Sequence, residues 1–249
     1  MHPLAEAFGG AAAAYERGRP TYPQAAVDWL VERLRIRAGA TVVDLAAGTG
    51  KLTRALVGRG ARIVAVEPVL GMREELARVV GGSAEILDGH AEAVPLPNGS
   101  ADAVTVAQAF HWFRTDEALP EIHRVLRPGG FLALIWNSRS GEDPVNARLD
   151  AILERHGREE PVWPGGNLAW REALDLSPSF GPVEERRFPH EQVLDRDSLV
   201  DRIVSISFVA ARAEGERVAI AGEVRSLAAT LAEPIVLSYR TEVFVTSRP

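Results

Sequence analysis

The chain has 249 residues, 46% hydrophobic and 25% charged, a balance that excludes a disordered or membrane-embedded protein. It contains no cysteine, which excludes disulfides, thiolate metal sites, iron–sulfur clusters and a cysteine nucleophile. Its 28 Lys and Arg against 34 Asp and Glu leave a net charge of −6, so no nucleic-acid partner is expected.

The N-terminal residues lack the charged-then-apolar layout of a signal peptide, and no apolar run reaches the ~18 residues of a membrane span. A cytoplasmic location without a membrane partner is therefore expected. The spacing of Val27, Leu30, Val31 and Leu34 predicts a first helix, with Pro23 suited to its first turn. Short β-branched runs then predict strands at Thr41–Asp44, Arg62–Glu67, Ala84–Leu87, Asp102–Ala107 and Phe131–Trp136. They are almost continuously apolar, as strands covered on both faces are. Leu119, Ile122, Val125 and Leu126 predict another helix, ended by a turn at Arg127-Pro128-Gly129-Gly130. This alternation predicts an α/β fold with a doubly wound, mostly parallel sheet, and ligands bound beyond the carboxyl ends of its strands.

After Asn137 the rhythm changes. Helical patterns cover about Ser198–Ala211 and the run carrying Ile220, Val224, Leu227 and Leu231. Strand character flanks them at Pro182–Val193 and Ser238–Ser247. The expectation is a single domain over 1–249, with a lid and first helix over 1–37, a binding core over 38–137 and a substrate side over 138–249. A helical insertion near the C-terminus would lie between two late edge strands.

The sharpest motif is Val42-Val43-Asp44-Leu45-Ala46-Ala47-Gly48-Thr49-Gly50, between a predicted strand and a predicted helix around Leu52–Val57. A glycine-rich turn there lets a ligand approach the backbone, and free amides at the helix start favour anionic or electron-rich groups. Glu67 closes the next strand, where a carboxylate can accept both hydroxyls of a ribose. Asp44 would repel a pyrophosphate and suits a ligand with positive charge; alternatively it braces the loop.

This segment resembles motif I of the class I S-adenosylmethionine-dependent methyltransferases, with Ala46 in place of the first glycine. Alanine is tolerated there if its φ is negative. Val66-Glu67-Pro68-Val69-Leu70-Gly71-Met72 resembles the family's next motif, which implies Glu67 on the ribose and Met72 against the adenine. Asp88-Gly89-His90-Ala91-Glu92 resembles the segment that reads the adenine edge. Pro95-Leu96-Pro97, Ser100 to Val104 and Arg124 to Gly130 resemble the stretches leading into strands four and five. The resemblance covers about residues 20–137. It implies a seven-stranded, Rossmann-like methyltransferase fold with S-adenosylmethionine as cofactor. Tyr15-x-x-Gly-Arg19-Pro20-x-Tyr22-Pro23, Ala109-Phe110-His111-Trp112-Phe113 and Ile135-Trp136-Asn137 resemble the trans-aconitate methyltransferase-like subgroup. The expected reaction is methyl transfer to a small molecule, as O-methylation of a carboxylate or hydroxyl. The alternatives are C- or N-methylation of a secondary metabolite, or S-adenosylmethionine binding without catalysis.

The candidate residues follow from this resemblance. Cofactor contacts are expected from Tyr15, Arg19, Asp44, Ala46, Gly48, Gly50, Glu67, Pro68, Met72, His90, Ala91, Glu92 and Gln108. His111 is either a general base, a substrate contact or an aromatic wall residue. Substrate contacts are expected from Tyr22, His111, Trp112, Phe113 and Trp163, the last in a Glu159–Gly166 loop that either closes on substrate or is plain surface. Arg139, Arg171, Arg202 and Arg212 are available for an acidic acceptor, and the stretch Ser205–Ala210 either lines the pocket or is core. The remaining histidines show no metal-ligand spacing, and no metal is assigned.

Overall fold

A computed structural model describes residues 12–157 and 169–249. Helix α1 (Ala12–Gly18) leads to α2 (Gln24–Arg33), which Pro23 caps at φ −64°. Proline suits that position because its ring holds φ near the helical value and its missing amide would have had no partner. The chain continues through β1 (Thr41–Leu45), α3 (Lys51–Leu56), β2 (Arg62–Val66), α4 (Leu70–Val80), β3 (Glu85–Leu87) and β4 (Ala101–Ala107). A single 3-10 turn at Phe110–Trp112 precedes α5 (Thr115–Val125) and the long strand β5 (Leu126–Arg139). Then come α6 (Pro144–Arg155), α7 (Ala169–Asp175), β6 (Glu184–Leu194), α8 (Arg196–Val204), α9 (Ser207–Ala210), α10 (Glu214–Ala229) and β7 (Ile235–Ser247).

The seven strands form one sheet in the order β3-β2-β1-β4-β5-β7-β6. The first five run parallel, and β7 lies antiparallel to both β5 and β6. This is the expected mostly parallel, doubly wound arrangement. Alternate side chains of each strand enter different cores. Val43, Val64, Val104 and Leu132 pack with Phe110, Leu119 and Ile122 on one face. Val42, Ile63, Ala103 and Ala133 pack with Leu30, Leu34 and Leu56 on the other. Burial of both faces is why these strands read as continuous apolar runs. The insertion has its own apolar cluster, in which Leu149, Leu199, Ile203, Val224 and Leu237 meet.

Three expectations need correction. Arg127–Gly130 was expected as a turn before the strand, but β5 already begins at Leu126. Leu126 pairs with Ala101 and Phe131 with Ala103, so residues 127–130 bulge out between two paired positions. Pro128 has no amide to donate, and Gly129 adopts φ +75°. The helix expected over Ser198–Ala211 is two helices. Ile206 is extended between them at ψ 133°, and the Ser205 hydroxyl donates to the Arg202 carbonyl at 3.0 Å. That side-chain bond offers the last turn an alternative to helix continuation. The following helix stops at Ala229, before Leu231. Among the described residues no helix is long and apolar enough to cross a membrane.

The chain leaves β1 outward through β2 and β3, then returns to β4 on the other side of β1. A crevice opens at the carboxyl ends of β1 and β4, where the two winding directions part.

Candidate functional site

That crevice holds a cavity of about 220 Å³. One wall is the turn from β1 into α3. It needs three left-handed residues in quick succession: Ala46 at φ +57°, Gly48 at +58° and Gly50 at +85°. Ala47 donates its amide to the Val66 carbonyl at 3.1 Å, tying the turn to β2. A side chain at Gly50 would strike Leu76 Cδ1 at 2.3 Å, whereas one at Gly48 would stand in open space. Gly50 is favoured above all by its φ of +85°, which strains any L side chain, and a Cβ there would also make Leu76 shift; Gly48 leaves room in front of the loop. Ala46 does not meet the condition of a negative φ under which alanine is tolerated there. It is left-handed instead, because the chain must reverse sharply off the strand end, and an L-residue there carries about 1–2 kcal/mol of strain.

Glu67, just past β2, is buried and lines the cavity. Its two oxygens accept from the Gly48 amide at 2.8 Å and the Val69 amide at 2.9 Å. Burial raises its pKa, opposed by those two amides. Each oxygen keeps a lone pair for a further donor. Arg73 holds the surrounding backbone. It donates to the Glu67 carbonyl at 2.8 Å and the Pro68 carbonyl at 2.6 Å, and grips Asp88 at 3.0 and 2.9 Å. Pro68, Val69, Met72 and Ala91 form the apolar slot beyond, with His90 and Glu92 at its rim. Glu92 accepts from the Arg114 amide at 3.0 Å.

Asp44 lies behind the wall rather than in it. It is fully buried, and its oxygens accept from the hydroxyls of Thr53 at 2.6 Å and Thr105 at 3.0 Å. Thr105 is opposite Asp44 in the β1–β4 register, and Thr53 reaches across from α3. Burial raises its pKa to about 6 despite both bonds. Asp44 thus braces β1, α3 and β4 at the base of the crevice.

The opposite wall is aromatic. Gln108 leaves β4 at φ +59°, and the following turn presents His111, Trp112 and Phe113 to the cavity. The His111 ring lies 4.7 Å from the Trp112 ring and 5.1 Å from Trp136, so two indoles flank it. Phe110 is core. From the N-terminal segment come Tyr15 and Arg19, and from the insertion Ile206 and Ser207. Tyr22 belongs to an adjoining recess with Asn137 and Arg202.

The cavity thus gathers the expected residues from Tyr15 to Phe113, except Asp44 and Gly50 behind the loop and Tyr22 beside it. Trp163 and its loop lie outside the described residues. The cavity also takes Val69 and Ala109, which lie inside the quoted motifs, and Ala107 at the end of β4; no contact is expected of them from the motifs alone. For Arg73 the sequence carries no signal; of the stretch Ser205–Ala210, Ile206 and Ser207 line the cavity while Val209 is core.

A family model described as a methyltransferase domain matches residues 43–134. An uncharacterised methyltransferase of Mycobacterium tuberculosis is 40% identical over 223 residues, covering 90% of this chain and 86% of that protein. The chain belongs to the methyltransferase family. Methyltransferase folds surround it structurally as well. A protein of Anaeromyxobacter dehalogenans titled a putative type II methyltransferase superposes with a TM-score of 0.63. It is 25% identical and covers 92% of this chain and 97% of its own. A phosphoethanolamine N-methyltransferase of Haemonchus contortus in complex with S-adenosyl-L-methionine shares the fold at a TM-score of 0.58. It is 14% identical and covers 100% of this chain and 60% of its own.

Membership of the methyltransferase family implies S-adenosylmethionine as the methyl donor, and the cavity fits that molecule chemically. A carboxylate with spare lone pairs stands at Glu67, an apolar slot for a flat ring lies beside it, and the backbone at Gly48 is open to close approach.

Proposed function

We propose that this methyltransferase methylates an oxygen, carboxylate or hydroxyl, of a small molecule, as the resemblance to the trans-aconitate methyltransferase-like subgroup implies. The observation that supports a small acceptor is that three separate parts of the chain wall the cavity. The aromatic turn, the N-terminal segment and the insertion residues Ile206 and Ser207 all converge on it. The net charge of −6 disfavours a nucleic-acid acceptor, and the reading places the enzyme in the cytoplasm.

Glu67 accepts the ribose hydroxyls with its remaining lone pairs. Pro68, Val69 and Met72 cover the adenine, while His90, Ala91 and Glu92 meet its edge. Ala46, Gly48 and Gln108 offer backbone toward the sulfonium, and Tyr15 and Arg19 surround the amino-acid end. The bound cofactor supplies a methyl group already activated for in-line displacement. The protein contributes alignment and exclusion of water. Trp112, Phe113 and Tyr22 orient the acceptor, with Trp163 assigned by sequence alone. His111 accepts the proton of a hydroxyl acceptor, whereas a carboxylate needs no base.

Isothermal titration with S-adenosylmethionine and S-adenosylhomocysteine is expected to give one site per chain. Folded protein that binds neither sinks the reading. An acceptor screen starting with small carboxylic acids and phenols then separates ester products, which alkali hydrolyses, from C-methyl products, which it does not. With a hydroxyl acceptor, His111→Ala is expected to lower kcat about 10²-fold or more, with loss of the rising limb of its pH profile. A change confined to KM removes the base role.

A further inference from the structure

Beside the main cavity lies a recess of about 40 Å³ that shares Tyr15, Arg19, Ala46, Gly48 and Gln108 with it. Two arginines from distant parts of the chain enter this recess. Arg19 follows α1, and Arg202 sits on α8, 5% exposed. They meet because Gly18 lies flat against the backbone of residues 201 and 202. Arg19 donates Nη2 to the Ser205 carbonyl at 2.8 Å, and its Nε–H is buried with no acceptor among the described residues. Arg202 donates Nε to the Tyr239 hydroxyl at 2.8 Å, and its Nη1 is likewise buried without an acceptor.

Among the described residues neither guanidinium has a carboxylate partner. The neighbouring acids are committed to other bases: Asp201 to Arg17 at 2.6 Å, Glu16 to Arg54 at 2.5 Å and Lys51 at 3.6 Å, and Asp150 to Arg139. Two like charges share a buried site and repel. Burial first and then Arg202 push the Arg19 pKa down to about 10, so Arg19 remains a cation at neutral pH. A water molecule in the recess would satisfy hydrogen bonds but leave the charge uncompensated. A carboxylate satisfies both, because its two oxygens accept from two guanidinium groups at once.

We propose that Arg19 and Arg202 together form a carboxylate-binding subsite that joins the N-terminal segment to the insertion at the edge of the cofactor cavity. The recess admits one carboxylate rather than a whole acid. The group belongs either to the amino-acid end of S-adenosylmethionine or to an acidic acceptor. The inference rests on the cofactor reading given above, and it assigns Arg202 a binding role that no sequence motif carries.

The test compares wild type with Arg202→Gln and Arg202→Lys, using S-adenosylhomocysteine and 5′-methylthioadenosine, which lacks the amino-acid end. If the cofactor supplies the carboxylate, Arg202→Gln weakens S-adenosylhomocysteine about tenfold or more and leaves 5′-methylthioadenosine unchanged. Arg202→Lys recovers part of the loss. If the acceptor supplies it, both nucleosides bind all variants alike. Succinate or citrate then binds S-adenosylhomocysteine-loaded wild type and loses about tenfold or more in the Gln variant. Unchanged 5′-methylthioadenosine binding also shows that the variants are folded; should Arg202→Gln lose it, the Lys variant carries the comparison. Equal effects on all probes, or none on any, overturn the subsite while leaving the cofactor assignment intact. Failure of wild type to bind either nucleoside overturns the cofactor assignment and the subsite with it.

Discussion

Ala46 and Gln108 end the adjacent strands β1 and β4, and both are left-handed without being glycine. Strain on both sides of one crevice is typical of sites whose backbone is held for a ligand rather than for stability. Ala46→Gly removes the Cβ clash but adds freedom to the unfolded chain, and a net gain of about 0.5–1 kcal/mol is expected. Urea denaturation measures it; no gain would show that neighbouring contacts already relieve the strain. Asp44 supplies a second test. Its folded pKa of about 6 lies above the ordinary aspartate value of about 3.9, so the native state binds its proton more tightly than the unfolded chain does. The resulting stabilisation is complete below about pH 4 and is lost as pH rises through about 6. Asp44→Asn lacks this dependence. The stability difference between the two proteins is expected to shift in the variant's favour by up to about 3 kcal/mol between pH 4 and 7. A difference that stays constant over that range would refute the raised pKa.

Helix α1 is short, and its place is decided by what it docks on. Arg17 pairs with Asp201 at 2.6 Å, and Gln192 donates to the Gly18 carbonyl at 2.8 Å. The exposed ion pair contributes little. The close approach at Gly18 matters more, since a Cβ there would lie 2.3 Å from the Arg202 amide nitrogen. That neighbour is helix backbone and cannot rotate aside. Gly18→Ala is therefore expected to push α1 off α8, with faster tryptic cleavage after Arg17 and weaker S-adenosylhomocysteine binding. Cleavage and affinity at wild-type levels would mean that α1 can shift without opening the site. The break between α8 and α9 belongs to the same arrangement, because extended Ile206 is what brings Ile206 and Ser207 to the cavity wall. Hydrophobic spacing alone reads through that break, as Val209 and Ile203 share one buried cluster.

The molecule as a whole divides into parts legible in its sequence and parts that are not. The parallel half of the sheet was legible because each strand is buried on both faces, and that writes an apolar run into consecutive residues such as Thr41–Asp44 and Asp102–Ala107. The glycine loop and Glu67 were legible for a related reason: a tight turn, and an acid at the end of the next strand, are local requirements that fix residue types at fixed spacing. The sign of φ at Ala46 was not, since it depends on how sharply the chain must turn to place α3 over the sheet. Nor was the position of Asp44 behind the wall, which follows from Thr53 and Thr105 reaching it from two other elements. The same holds for Arg202. Nothing near it in the chain separates it from other helix arginines, and only the docking of α1 on α8 brings it beside Arg19. Local backbone demands and alternating burial leave their mark on neighbouring residues. Charges that meet across more than 180 positions leave none, because their proximity is produced by packing after the chain has folded.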